Sequence, residues 1–318
     1  MSQKQTVLIT GGTGFLGREL GQKLKDHYQV ILGARNNKQN HLIKQMTGCE
    51  VTPLDITNIE SVRDAVVAYR PEIIVHAAAT KFVDLSEKFP MECIDVNVVG
   101  SQHIARVAMD KGVKTVIGIS TDKASPPVRN TYGMSKAIME RMFCSSNGKS
   151  ETKFTCVRYG NVAWSTGSVL PIWRKMHSER GVIGTTGPEM RRFFFTVEDA
   201  VALVIVAMNH IDEVAGMVLS REMKAAQIQD ILTTWTKLYG GRFERIEGRP
   251  GERMDEFLIG ELELPYTREI FYDKVRHFLI SFNEKVETPV SVGLSSENAS
   301  KLTEQEIAEL ISNRPSFE

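Results

Sequence analysis

A phenol and an amine at helical spacing are the first groups in this sequence that could do chemistry together. Tyr132-Gly133-Met134-Ser135-Lys136 puts Tyr132 and Lys136 at positions i and i+4, one turn apart on one helix face. An ammonium close to a phenol favours the phenolate and so prepares a base for an alcohol proton. Upstream, Ser120-Thr121-Asp122-Lys123 follows a β-branched run. A hydroxyl, a carboxylate and a second amine are thereby expected at the carboxyl end of a strand, where open α/β sheets gather their reactive groups.

Gly11-Gly12-Thr13-Gly14-Phe15-Leu16-Gly17 directly follows Val7-Leu8-Ile9-Thr10 and opens a helix-like stretch. Gly11 permits a tight turn, Gly14 lets a pyrophosphate approach the backbone, and Gly17 lets the helix lie against the strand. The helix start then offers free N–H donors to phosphate, and Thr13, Phe15 and Leu16 belong to the same expected dinucleotide site. Where a cofactor with a free 2′-hydroxyl would meet an acidic residue, the end of the second strand reads Gly33-Ala34-Arg35-Asn36. Arg35, with Asn36 beside it, suits a 2′-phosphate instead, so NADP is expected ahead of NAD. Asp55 and Ile56 after the third strand, and Ala77, Ala78 and Ala79 after the fourth, fall where adenine and the nicotinamide ribose should lie. His76 by itself reads as a packed core histidine.

The elements that must position these groups are legible as alternation. Thr6 to Thr10, Val30 to Ala34, Ile73 to Ala77, Val113 to Ser120 and Phe154 to Arg158 read as strands separated by helix-length polar segments. That pattern predicts an α/β fold with a Rossmann-type, doubly wound parallel sheet. Beyond about Ser165 the elements shorten, and Arg191 to Phe195, Met217 to Ser220 and Phe243 to Ile246 read as isolated strands. Residues 1–164 are therefore expected to form the NADP-binding domain. Residues 165–318 are expected to be mainly a smaller α/β substrate-binding lobe and tail, with a return of the chain to the first sheet left open. Thr303-Glu304-Gln305-Glu306 is a capping box, and Glu287 to Ser300 reads as a surface loop.

Composition narrows the partners. Lys plus Arg and Asp plus Glu number 39 each, so no global field draws the chain to nucleic acid or to an anionic membrane, and a small soluble substrate is expected. No leader-like or membrane-spanning run is read, which predicts a cytoplasmic protein. Cys49, Cys93, Cys144 and Cys156 lack paired spacing and read as packing residues; no metal-ligand spacing appears among the histidines.

Taken together, the glycine loop, the Tyr132/Lys136 pair, His76 to Ala79 and Ser120 to Lys123 resemble the extended short-chain dehydrogenase/reductase family. The Asp122-Lys123 pair is similar to that of the nucleotide-sugar 4,6-dehydratases that act on UDP-N-acetylglucosamine in polysaccharide biosynthesis. Further matching stretches are His76 to Lys81, Asn97, Arg158 to Val162, Gly167 to Val169, Arg192-Phe193 and Gly248 to Glu252, so the resemblance covers about residues 5 to 260. The segment between Lys123 and Tyr132 is about one residue longer than these dehydratases carry.

The resemblance implies that Lys81 and Asn97 join the cofactor site, and that Lys81, Asn161, Arg192, Arg249 and Glu252 hold the nucleotide sugar. Arg191 competes with Arg192 for the diphosphate. It implies a chemistry as well: Tyr132, held near Lys136, takes the O4 proton, and Thr121 holds that hydroxyl. A neutral Lys123 then removes the C5 proton while a protonated Asp122 assists loss of O6. A homo-oligomer, dimer or hexamer, is implied through the helix after Asn97 and the Tyr132 helix. The nearest rival is a nucleotide-sugar 4-epimerase, which needs Tyr132 but no acid–base pair; a non-catalytic NADP-binding protein is the rival from another class.

Overall fold

The computed structural model describes residues 4–248 and 251–315 of the chain. In its first half the β-branched runs become β1 (Thr6–Thr10), β2 (Gln29–Ala34), β3 (Glu50–Pro53), β4 (Ile73–His76), β5 (Thr115–Ile119) and β6 (Lys153–Arg158). Successive residues of one strand face opposite sides. Val7 and Ile9 of β1 therefore join one apolar cluster, with Leu32, Val75 and Ile117, while Leu8 joins the other, with Ile31, Ile74 and Val116. Helices cover both faces, as a parallel sheet requires, and the strands accordingly read as near-continuous apolar runs.

The remaining strands are β7 (Asn161–Val162), β8 (Val182–Thr185), β9 (Arg191–Phe195), β10 (Val218–Arg221), β11 (Ala225–Gln227), β12 (Arg242–Arg245), β13 (Phe257–Ile259), β14 (Thr267–Tyr272), β15 (Val275–Ile280) and β16 (Leu294–Ser295). The main sheet has nine strands in the order β14-β15-β10-β6-β5-β4-β1-β2-β3. Chain order reverses between β4 and β2 on either side of β1, and this switch opens a crevice at the carboxyl ends of the strands.

None of the late strands is isolated. The run read as Met217 to Ser220 is β10, which pairs in parallel with β6, Leu219 opposite Val157. The β14–β15 hairpin extends the same sheet through β15 against β10. Thus residue 164 does not divide the sheet. Arg191–Phe195 pairs with β7 and β11, and β12 with β8. Buried backbone groups must find partners, and here the partners lie far away in sequence, where local patterning carries no record of them.

Glu256 is positioned by the β13–β16 pair, where Phe257 lies opposite Ser295; β16 falls within the stretch read as a loop. The helix Glu304–Ser312 starts with the expected box, Thr303 accepting from the Glu306 N–H and Glu306 from the Thr303 N–H. All four cysteines are buried free thiols. No helix among the described residues is long and apolar enough to cross a membrane.

Candidate active site

A cavity of about 800 Å³ runs from the glycine loop to the segment around Glu256. Its cofactor-sized end is shaped by backbone. Gly11 adopts φ +67°, and a Cβ there would stand 2.8 Å from the Cα and N of Ala78. The Gly14 N–H closes the turn on the Gly11 carbonyl at 2.9 Å. At Gly17 a side chain would meet the Gly11 carbonyl at 2.6 Å, so only glycine lets the helix Phe15–Leu24 approach so closely. That helix opens at Gly14 without a side-chain cap, leaving first-turn N–H groups directed at the loop. Thr13, Phe15, Leu16, Ile56, Ala77, Ala78 and Ala79 line the same end. The donors, the small residues and the open cradle fit a dinucleotide cofactor.

Arg35 stands exposed just past β2, on the cavity rim. Asn36 is also on the rim, but its side chain is spent on a helix start, accepting from the Gln39 N–H at 3.1 Å. Two expected cofactor residues stand behind the wall. The Asp55 carboxylate accepts from the N–H and hydroxyl of Thr57, a local turn that competes with any ligand. Asn97 accepts from the Thr80 N–H at 2.8 Å and donates to the Thr80 carbonyl and to Ser135 Oγ. It ties the strand end that follows His76 to the Tyr132 helix rather than facing the cavity, because its buried amide is already fully engaged.

The reactive groups meet where β5 ends. Thr121, Lys123, Tyr132 and Lys136 all line the cavity, and the helix Thr131–Ser146 carries the last two. Its start is capped by Asn130, which accepts from the Gly133 N–H at 2.7 Å. The Thr121 hydroxyl lies beside the Tyr132 phenol; burial pushes the phenol up to about 12, although the nearby Lys123 pulls it down. The expected electrostatic partner, Lys136, is instead brought down to about 8 by burial, against the opposing pull of Cys156 and Glu140. In the protein alone, then, the cation felt most at the phenol is Lys123.

Asp122 is completely buried, and its N–H donates to the Tyr159 carbonyl. One carboxylate oxygen receives Lys123 Nζ at 3.0 Å and Thr121 Oγ1 at 2.9 Å; the other has no hydrogen-bond partner among the described residues. Burial pulls the Lys123 ammonium down, but Asp122 and Glu256 outweigh it and hold the amine above its ordinary range. Without a cofactor Lys123 is therefore held as an ammonium, because a buried amine with two carboxylates gains more from charge than desolvation takes away; the neutral form that the resemblance implies belongs to the site with a cationic cofactor beside it. His76 is the packed histidine expected: its ring bonds Thr10 and Ser101 at 2.8 and 3.0 Å, and burial lowers its pKa to about 3.

At the other end, Lys81, Asn161, Arg192 and Glu252 face the cavity. Arg192 is held by the carbonyls of Arg191, Met254 and Arg253. Arg191 is a structural ion pair, meeting Asp255 through two bonds of 2.6 Å. Glu252 accepts from Thr186 at 2.9 Å. Arg249 lies outside the described residues.

Sequence reasoning missed two features. Glu256 lies in the cavity wall near Lys123, but in sequence it is one more charge in Glu252-Arg253-Met254-Asp255-Glu256. Arg158 is fully buried and bonds Glu140, Glu263 and the Leu258 carbonyl, which braces the helix of Tyr132 and Lys136 against the later chain. In sequence Arg158 is a lone Arg ending an apolar strand and the first residue of a stretch that matches the resembled family, and neither signal gives its bracing role.

The fold and this cleft define a Rossmann-type α/β protein with a glycine-rich turn and a tyrosine–lysine helix. The chain belongs to the family described as polysaccharide biosynthesis protein, whose model matches residues 7–275. It is 29% identical, over the full length of both chains, to a UDP-N-acetylglucosamine 4,6-dehydratase (inverting) from Campylobacter jejuni subsp. jejuni. It is 30% identical to a UDP-glucose 4-epimerase from Rickettsia bellii, over 84% of this chain and 81% of that one. The crystal structure of Pen from Bacillus thuringiensis superposes with a TM-score of 0.88 at 29% identity, covering 97% of each chain.

Proposed function

We propose that this chain is an enzyme of the nucleotide-sugar dehydratase/epimerase type, and specifically an NADP-dependent 4,6-dehydratase acting on UDP-N-acetylglucosamine or a close NDP-hexose. The observation that carries the reading is the Asp122–Lys123 pair, 3.0 Å apart, with Lys123 on the same cavity wall as Tyr132. The full-length likeness to a named dehydratase supports it. Arg35 on the rim beside the glycine cradle supports a 2′-phosphate and hence NADP.

The chemistry a nicotinamide cofactor supplies in that cradle is acceptance of a hydride from C4 and its return at C6. The chain's own groups move the protons. The Tyr132 phenol first gives its own proton to solvent, which the charges of Lys123, Lys136 and a bound nicotinamide would favour; the phenolate then takes the O4 proton as the C4 ketone forms, and the ketone acidifies C5–H. Transfer of one ammonium proton from Lys123 Nζ to Asp122 breaks an N–H bond and makes an O–H bond. The same transfer yields an amine base and a carboxylic acid, and a closed, dry site favours this uncharged pair. The amine takes the C5 proton, the acid protonates departing O6, and water leaves. A proton delivered back to C5 completes the 4-keto-6-deoxy sugar. Asn161, Arg192 and Glu252, which line the cavity, would hold the nucleotide sugar. Exposed Met91, Ile94, Met134 and Ile138, on helices that pack together beside the site, support self-association.

The likeness to an epimerase favours a second reading, inversion at C4 by Tyr132 without elimination. One experiment separates the two. The purified protein, without added cofactor, is incubated with UDP-N-acetylglucosamine in heavy water and followed by proton NMR. A C6 methyl group with deuterium at C5 is the expected result. Appearance of the C4 epimer alone would establish the second reading. No change with UDP-, GDP- or dTDP-linked hexoses, even after NADP is added, would overturn both.

A further inference from the structure

Glu256 is buried to about 5% exposure, yet one of its carboxylate oxygens, Oε2, has no hydrogen-bond partner among the described residues. The other, Oε1, lies 3.7 Å from Lys123 Nζ and 4.0 Å from Arg192 Nε. A buried carboxylate oxygen left without a partner is costly, so its retention here calls for a reason.

The backbone that presents Glu256 is fastened on both sides. Its own N–H donates to Ser296 Oγ, and its carbonyl accepts from the Ser296 N–H. Before it, the Arg253 and Met254 carbonyls accept from Arg192, and Asp255 binds Arg191. After it, the Leu258 carbonyl accepts from the buried Arg158. The backbone here cannot withdraw without breaking these bonds, so the glutamate is presented from a fixed point beside Lys123.

We propose that Glu256 is a positioning residue for the elimination pair: it holds Lys123 in place as an ammonium, from a second segment of chain, and so sets how readily the base form appears. This rests on the dehydratase reading only for its effect on turnover. The groups facing Lys123 are Asp122 on its own turn, Tyr132 on the neighbouring helix, and Arg192 and Glu256 from the later chain; Arg253 in turn faces Glu256 and Asp122. Two carboxylates therefore oppose the nearby guanidinium groups. Because Glu256 favours the ammonium, it works against passage of the proton from Lys123 to Asp122. Removing its charge leaves Asp122 as the one carboxylate beside the amine.

The test reads Lys123 directly. Full-length protein is treated briefly with acetic anhydride between pH 7 and 9, and acetylation of Lys123 is measured by peptide mass spectrometry relative to exposed Lys38. An opposite charge at this range moves an amine by about 1–3 pH units, so Glu256→Gln is expected to raise relative labelling about 10- to 1000-fold. Glu256→Asp, which keeps the charge but withdraws it, should fall between wild type and Glu256→Gln and covers the case in which the glutamine variant does not fold. Labelling of Glu256→Gln equal to wild type, or of Glu256→Asp equal to or above Glu256→Gln, would overturn the proposal. Where wild type dehydrates its substrate, the acid limb of its pH–rate profile should move to lower pH in Glu256→Gln. If wild type dehydrates but neither labelling nor profile moves, Glu256 has no such role and the dehydratase reading survives. If wild type does not dehydrate, that reading fails while the labelling ratio still decides on Glu256.

Discussion

Acid should weaken this fold through one buried ring. His76 is wholly buried at the end of β4, bonded on both nitrogens to hydroxyls, and desolvation, with help from the Lys136 charge, lowers its pKa from 6.5 to about 3. The unfolded chain takes up a proton at His76 below about pH 6.5, and the folded chain takes none until the pH nears 3. Stability is therefore fully present above the unfolded value and is lost as the pH falls. Between pH 7 and pH 5 the proton excess of the unfolded state integrates to about 2 kcal/mol, at about 1.4 kcal/mol per pH unit. Replacing the ring by a neutral amide, His76→Gln, removes this contribution while leaving the carboxylates and His277 to titrate as before. Urea unfolding of both proteins at pH 7 and pH 5 should show wild type losing about 2 kcal/mol more than the variant over that interval. Parallel losses would mean that the folded state protonates His76 at an ordinary pH, and the argument from burial would fail.

Three further outcomes follow from the same geometry. Tyr132→Phe should lower kcat about a hundred- to ten-thousandfold on whichever nucleotide sugar proves to be the substrate, with KM little changed, as steady-state kinetics would show. Arg158→Met leaves the buried Glu140 and Glu263 carboxylates facing each other without their guanidinium, and denaturant unfolding should report a loss of about 3–5 kcal/mol. Arg35→Ala should weaken NADP binding about 10- to 100-fold by calorimetry while leaving NAD binding unchanged, the ratio expected for one charge-assisted phosphate contact.

Several local elements could be read residue by residue. The runs Thr6–Thr10 and Arg191–Phe195 form strands with the bounds that sequence suggests, and Thr303 and Glu306 close the expected cap. The glycine loop was legible because its requirement is local: at Gly11 the φ of +67° and the contact with Ala78 exclude a side chain within one turn of backbone. Tyr132 and Lys136 were legible for the same reason, since helix periodicity alone puts them on one face.

What sequence by itself determined, then, were periodic strands, a tight glycine turn and the spacing of reactive groups, all set by dihedral preferences over a few residues. Which strands share a sheet, and which charges are buried beside which, were decided only by the tertiary structure. The return of β10 to β6 joins residues 218–220 to 156–158, and no local propensity encodes a pairing at that separation. Asn97 and Asp55 carry polar side chains suited to a ligand, yet packing gives them to Thr80, Ser135 and Thr57. Lys123 reads as a potential neutral base until Glu256, more than a hundred residues later, is folded to within 3.7 Å of it. Charge states in a protein depend on distance and desolvation, and both exist only once the chain has closed on itself.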